Sequence, residues 1–146
     1  MTIYFASDHA GFSLRQTLLA HVQAAGHDVV DLGPAAESSV DYPDFGVKLA
    51  TALQQDDAGY GIAICGSGIG ISMALNRFSW VRAALVSDPL AAALARQHND
   101  ANVLALGERL IEPDLAKQCV DHFLGTEFEG GRHQRRVAKL SQIGEK

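Results

Sequence analysis

Tyr60-Gly61-Ile62-Ala63-Ile64-Cys65-Gly66-Ser67-Gly68-Ile69-Gly70 is the stretch on which the fold turns. Its first six residues make a short apolar run, and three glycines within the next five residues break it. Residues compatible with a helix then continue to about Asn76. The pattern predicts a strand over 60–65, a tight loop and a helix.

Working outward, similar units recur. Upstream, residues 3–6 form an apolar run ending at Ser7-Asp8-His9. Phe12, Leu14, Leu18, Leu19 and Val22 then follow at helical spacing, and Gly26 closes that helix. Val29, Val30 and Leu32 predict a second strand. A loop leads from it to Pro43, placed in the first turn of a helix carrying Phe45, Leu49, Ala50 and Leu53. Downstream, strands are expected over 81–86 and 102–106. Between them lies a helix capped by Asp88, with Pro89 at its first position. Helices over 113–124 and about 132–143, the latter basic, complete the chain.

Five strands thus alternate with helices, and no connection resembles a two-residue hairpin. Parallel neighbours require crossover helices, so the expected architecture is a three-layer α/β/α domain. Its five-stranded sheet would be parallel, doubly wound and Rossmann-like. No internal repeat or linker divides the chain, and residues 1–146 are read as one domain.

The net charge of −5 argues against a general nucleic-acid or membrane-surface binder. No window approaches the ~18 consecutive apolar residues of a membrane span. The sequence MTIYFASDHAGF has neither a basic leader segment nor a small-residue cleavage site, and Cys65 and Cys119 show no disulfide framework. The expected location is cytoplasmic.

In open parallel sheets, ligands bind beyond the carboxyl ends of the strands. Chemistry is therefore expected at Ser7-Asp8-His9, at Cys65 to Gly70, at Ser87-Asp88 and at Gly107-Glu108-Arg109. The loop Cys65-Gly66-Ser67-Gly68-Ile69-Gly70 opens a helix, a setting suited to phosphate or to a developing oxyanion. A plain strand-to-helix turn is the alternative. The glycine spacing does not match G-x-G-x-x-G, no Gly-Lys-Ser/Thr follows, and Ile71 stands where a cysteine-dependent phosphatase would need arginine.

Cys65 at such a helix mouth could work as thiolate, or it could simply fill the core. Cys119 shares an apolar helix face with Leu115 and Phe123 and is read as core. Asp8 and His9 could hold hydroxyls and an anion, although Asp8 could equally cap the following helix. His98 and Asn99 close the fourth helix, where a histidine near the end and an asparagine in the left-handed cap position need no function. Arg132 and Arg136, four apart, would share a helix face, as a phosphate grip or as a solvated basic surface. The six histidines show neither H-x-x-x-H nor H-E-x-x-H spacing, the cysteines show no C-x-x-C, and no metal is expected.

Five stretches together resemble the ribose-5-phosphate isomerase B family, which includes the galactose-6-phosphate isomerase subunits. They are SDHAGF (7–12), DYPDF (41–45), CGSGIGIS (65–72), RQHNDANVLALGER (96–109) and FEGGRHQRRV (128–137). The resemblance implies a cofactor-free aldose–ketose isomerase of a small phosphorylated sugar, by default ribose 5-phosphate to ribulose 5-phosphate. It implies Cys65 as the base moving a proton between C1 and C2. The amides of Gly66, Ser67, Gly68, Ile69 and Gly70, with the Ser67 hydroxyl, would stabilise an enediolate. His98 would help open the ring, Asp8 and Asn99 would hold hydroxyls, and His9, Arg109, Arg132 and Arg136 would bind phosphate. One branch of the family carries a glutamate base where this chain has Ile71, so the resemblance is to the cysteine branch. A homodimer is implied, with His98, Asn99 and Arg109 facing the other chain's loop, and a homotetramer is compatible.

Two other readings stay open at this point. One is a nucleotide- or flavin-binding module, and the other a non-catalytic subunit of a two-chain isomerase. Among sugars, allose 6-phosphate, galactose 6-phosphate and four-carbon sugar phosphates remain alongside ribose 5-phosphate.

Overall fold

The computed structural model describes residues 1–144. Five strands, β1 (Thr2–Ser7), β2 (Asp28–Asp31), β3 (Tyr60–Cys65), β4 (Ala83–Leu85) and β5 (Val103–Gly107), form one sheet in the order β2-β1-β3-β5-β4. Every pairing is parallel. The connecting helices are α1 (Phe12–Ala24), α2 (Tyr42–Gln55), α3 (Ile69–Leu75), α4 (Pro89–Asn99) and α5 (Pro113–Leu124), and α6 (Arg132–Gln142) follows. The expected three-layer, doubly wound architecture is the one observed. The basic helix ends one residue short of its expected limit, and positions 145–146 of the expected domain lie outside the described residues.

Strand alternation explains the two cores. Ile3, Phe5, Ile62, Ile64, Leu104 and Leu106 point to one face and meet Leu14, Leu18 and Phe123 of α1 and α5. Ala6, Ala63, Cys65 and Val103 point to the other and meet Leu49 and Leu53 of α2 and Ile71 and Leu75 of α3. These strands are buried on both faces, which is why β3 and β5 read as continuous apolar runs. Emptying one such position to alanine would cost ~2–5 kcal/mol.

Caps match their residues. Gly26 takes φ +97° after α1, and its N–H donates to the Gln23 carbonyl while His27 N–H donates to Val22, so both trailing carbonyls are satisfied. Asp88 accepts from Ala91 N–H at 2.8 Å, with Pro89 opening α4.

Two local expectations are corrected, at the fourth strand and at the end of α4, and one turn is new. The fourth strand spans only 83–85, and Val81 and Val86 are buried beside it outside the ladder. A short 3₁₀ turn, His9–Gly11, separates β1 from α1. The left-handed residue after α4 is Asp100 (φ +47°), not Asn99. Asp100 pairs there with Arg96, which is buried and also donates to Ala101 O at 2.7 Å, so the end of α4 is firmly held.

Candidate active site

The crest of the sheet, where β1, β3 and β5 end, carries a cleft of about 320 Å³. Its floor is the glycine loop. Gly68 adopts φ +76°, a left-handed conformation that glycine takes without strain. There its N–H donates to Cys65 Sγ at 3.2 Å. Cys65 is nearly buried at 4% exposure and also lines the cleft. Cys119 differs: it is fully buried, and burial pushes its thiol up to about 11.

The loop is pinned to β5. Glu108 N–H donates to Cys65 O and Arg109 N–H to Gly66 O, each at 3.0 Å. This turn folds the Arg109 guanidinium over Gly66, where a Cβ would come 2.6 Å from its nitrogen. Ile69 N–H donates to Ser67 Oγ at 3.2 Å, leaving that hydroxyl its own proton to donate. Two of the five loop amides expected to face an enediolate, those of Gly68 and Ile69, are therefore already engaged within the loop.

The end of β1 supplies the opposite wall. Asp8 is buried and caps the 3₁₀ turn, accepting from Gly11 N–H at 3.1 Å, while it also lines the cleft. His9 lies on the same wall, with Nδ1 at 3.1 Å from both the Val40 carbonyl and the Val40 amide. Behind them the buried Arg15 donates to Ser7 Oγ and to the Pro34 carbonyl and pairs with Asp31, tying α1 to the ends of β1 and β2. Burial lowers the Arg15 pKa from its usual value, and the Asp31 charge opposes that shift.

Tyr42 completes the cleft and is the residue that motif reading did not nominate. It opens α2, and its ring lies so close to Gly70 that a Cβ there would be 2.6 Å away. The signal was present, since Tyr42 sits inside the DYPDF stretch, but a tyrosine beside a proline reads equally as a helix start.

Of the expected site residues, Asp8, His9, Cys65, Gly66, Ser67, Gly70 and Arg109 line this cleft. Gly68 and Ile69 belong to the same loop but do not line the cleft, and Ile69 lines a neighbouring cavity with Leu85 and Val86. His98, Asn99, Arg132 and Arg136 do not. They lie on the end of α4 and the start of α6, which pack together. Arg109, expected to face another chain's loop, lies against its own chain's Gly66.

Near that second group, His98 stacks on His133 with ring centres 4.3 Å apart, and Glu129 approaches both imidazoles. The ligand-type atoms of these three residues lie within 4.8 Å of one another, a cluster that short-range histidine spacing could not reveal. A larger cavity of about 710 Å³, lined by Phe78, Trp80, Arg82, Asn99 and Leu140, has no thiol, imidazole or carboxylate among the described residues that line it, so the smaller cleft is the candidate site. No helix among the described residues is long and apolar enough to cross a membrane.

Fold and cleft define a Rossmann-like α/β protein with a candidate small-molecule site, lined by a thiol, at the crest of its sheet. More specifically, the chain belongs to the ribose/galactose isomerase family, whose model matches residues 3–140. It is 45% identical over 141 residues to ribose-5-phosphate isomerase B of Escherichia coli, covering 97% of this chain and 95% of that one. The structure of ribose-5-phosphate isomerase B from Clostridium thermocellum superposes with a TM-score of 0.95 at 45% identity, over 98% and 97% of the two chains. That of the Mycoplasma genitalium ribose-5-phosphate isomerase B, solved with ribulose 5-phosphate bound, gives 0.95 at 42%, over 99% and 97%. The family expected from the motifs is the family found, and it is one of sugar isomerases.

Proposed function

We propose that this chain isomerises ribose 5-phosphate and ribulose 5-phosphate by ring opening and proton transfer through an enediolate. The carrying observation is Cys65, its sulfur facing Gly68 N–H in a cleft walled by Asp8, His9 and Arg109, in a chain that follows the Escherichia coli enzyme almost end to end. In the aldose direction the C1–O4 bond breaks, O4 takes a proton from His98, O1 releases its proton to water, and C1=O1 forms. Cys65 thiolate then removes the C2 proton, and the electron pair moves to O1 as the enediolate. The O2 hydroxyl proton passes to O1, and Cys65 returns its proton to C1, giving the ketose. The Ser67 hydroxyl and the free loop amides stabilise the oxyanion, which is where a positioned donor acts most strongly. Asp8 and Asn99 hold sugar hydroxyls, and Tyr42 bounds the sugar.

The same proposal makes the enzyme a cytoplasmic homodimer or homotetramer with shared sites. His98, Asn99, Arg132 and Arg136 are absent from their own chain's cleft, so each cleft takes them from a second copy. The phosphate would lie between His9 and Arg109 of one copy and the two α6 arginines of the other. The test is a coupled isomerisation assay on ribose 5-phosphate, allose 6-phosphate, galactose 6-phosphate and a four-carbon sugar phosphate. Ribose 5-phosphate should give the highest kcat/KM. Preference for another sugar would overturn the substrate assignment, and inactivity on all four would overturn the function.

A further inference from the structure

The cluster beside His98 has no part in the steps above. Glu129 is fastened to α4 by its own N–H, which donates to Gln97 O at 3.1 Å. Gly130 and Gly131 follow at φ +68° and +56°, so the chain turns sharply there into α6. That turn brings His133 back beside Glu129, with Nε2 at 3.8 Å from Oε1, while His98 Nε2 lies at 4.0 Å from the same oxygen. The two imidazoles are nearly parallel, 15° apart. His98 remains partly open to solvent, whereas His133 is buried at 8% exposure.

We infer that His133 and Glu129 are positioning residues for His98, His133 by stacking on its ring and Glu129 by electrostatic attraction of its Nε2 edge. The inference rests on the reading that His98 acts in ring opening. An imidazole at a helix end can swing about its side-chain torsions, and a proton donor displaced by 1 Å loses much of its effect. A stacked face restrains the ring plane, and the Glu129 carboxylate, 4.0 Å from Nε2, favours ring orientations that keep that edge turned toward its charge. His133 suits a platform rather than a second acid. Burial, then the nearby charges of His98, Arg132 and Arg136, hold it below the ordinary imidazole range against the opposing pull of Glu129. Ring planes only 15° apart also fit stacking better than convergence on one metal ion, because an imidazole lone pair lies in the plane of its ring.

The chemistry allows ring opening to be separated from proton transfer. Ribulose 5-phosphate carries its phosphate on the oxygen that would close a five-membered ring, so it is an open chain. Its C1 hydrogen can exchange with solvent deuterium through Cys65 without any ring step. His98→Ala should lower aldose-to-ketose kcat/KM by at least ~10²-fold while C1 exchange stays within about threefold. His133→Ala and Glu129→Gln should show the same split at ~10–100-fold, and His133→Phe, which keeps an aromatic face, should recover most of the loss. Equal loss of isomerisation and exchange in both His133→Ala and Glu129→Gln, or no advantage of phenylalanine over alanine, would overturn the positioning role. A split in His98→Ala without one in Glu129→Gln or His133→Ala would remove the inference and leave the ring-opening reading standing. No split in His98→Ala would remove both.

Discussion

Replacing Gly107 with alanine asks how tightly the glycine loop after β3 is held. A Cβ at this last residue of β5 would lie 2.5 Å from the carbonyl carbon and oxygen of Ser67 and 2.8 Å from its Cα. Ordinary contact begins at 3.4 Å, so the Ser67 backbone must retreat by about 0.9 Å. It cannot do so freely, because the neighbouring carbonyls of Cys65 and Gly66 are bonded to Glu108 and Arg109. Overpacking of this kind costs ~1–3 kcal/mol, which at this chain length lowers Tm by roughly 2–12 °C. Activity should suffer more than stability. A displacement of about 1 Å at the reacting groups can reduce the rate ~10²-fold. The assay is kcat/KM for ribose 5-phosphate, well below the variant's measured Tm. Gly46→Ala on α2 serves as control, since its Cβ would press on Ala74 at 3.2 Å, away from the cleft. That variant should change Tm and leave kcat/KM within about twofold of the parent. Parental kcat/KM in Gly107→Ala would show that the loop is not pinned as described.

Cys65→Ser keeps the shape but removes the acidic thiol, so turnover should fall ~10²–10⁴-fold, while Cys119→Ser, in the core, should leave it nearly unchanged. Parental activity in Cys65→Ser rejects the assigned base. Mixing inactive Cys65→Ser chains with inactive His98→Ala chains should restore partial activity if sites are shared. Absence of recovery, with subunit exchange demonstrated by mass, counts against sharing. Arg132→Ala and Arg136→Ala should each lower kcat/KM for ribose 5-phosphate ~10–100-fold and spare any trace activity on unphosphorylated ribose. Equal loss on both sugars would reassign the arginines to fold or assembly.

Much of the scaffold was legible because its signals are local. Apolar runs marked β1, β3 and β5, and Pro89 and Pro113 stand at the N-termini of α4 and α5. Strand order was not legible, since nothing in the run 102–106 says that it inserts between β3 and β4. The crest residues Asp8, Cys65 and Arg109 could be placed from the rule that parallel sheets bind ligands at their carboxyl ends. Arg15 could not, because a buried arginine is recognised by partners such as Ser7, Pro34 and Asp31, which meet it only after folding. The His98–Glu129–His133 cluster escaped for the same reason: its two histidines lie on different helices.

The late arrival of β5 also bears on how the chain is made. β3 and β4 are consecutive, yet they touch only through β5, and β4 has no other partner in the sheet. On a ribosome, the strand bearing Ile62, Ile64 and Cys65 emerges with one edge unpaired, and 42 further residues must be added before Gly107 is made. At ~5–20 residues per second that edge stays open for about 2–8 s. An apolar unpaired edge is a template for pairing with other chains. The central position of β5 therefore makes the nascent first half of this protein a client for chaperones, and a stall or truncation anywhere between residues 66 and 102 a source of aggregation.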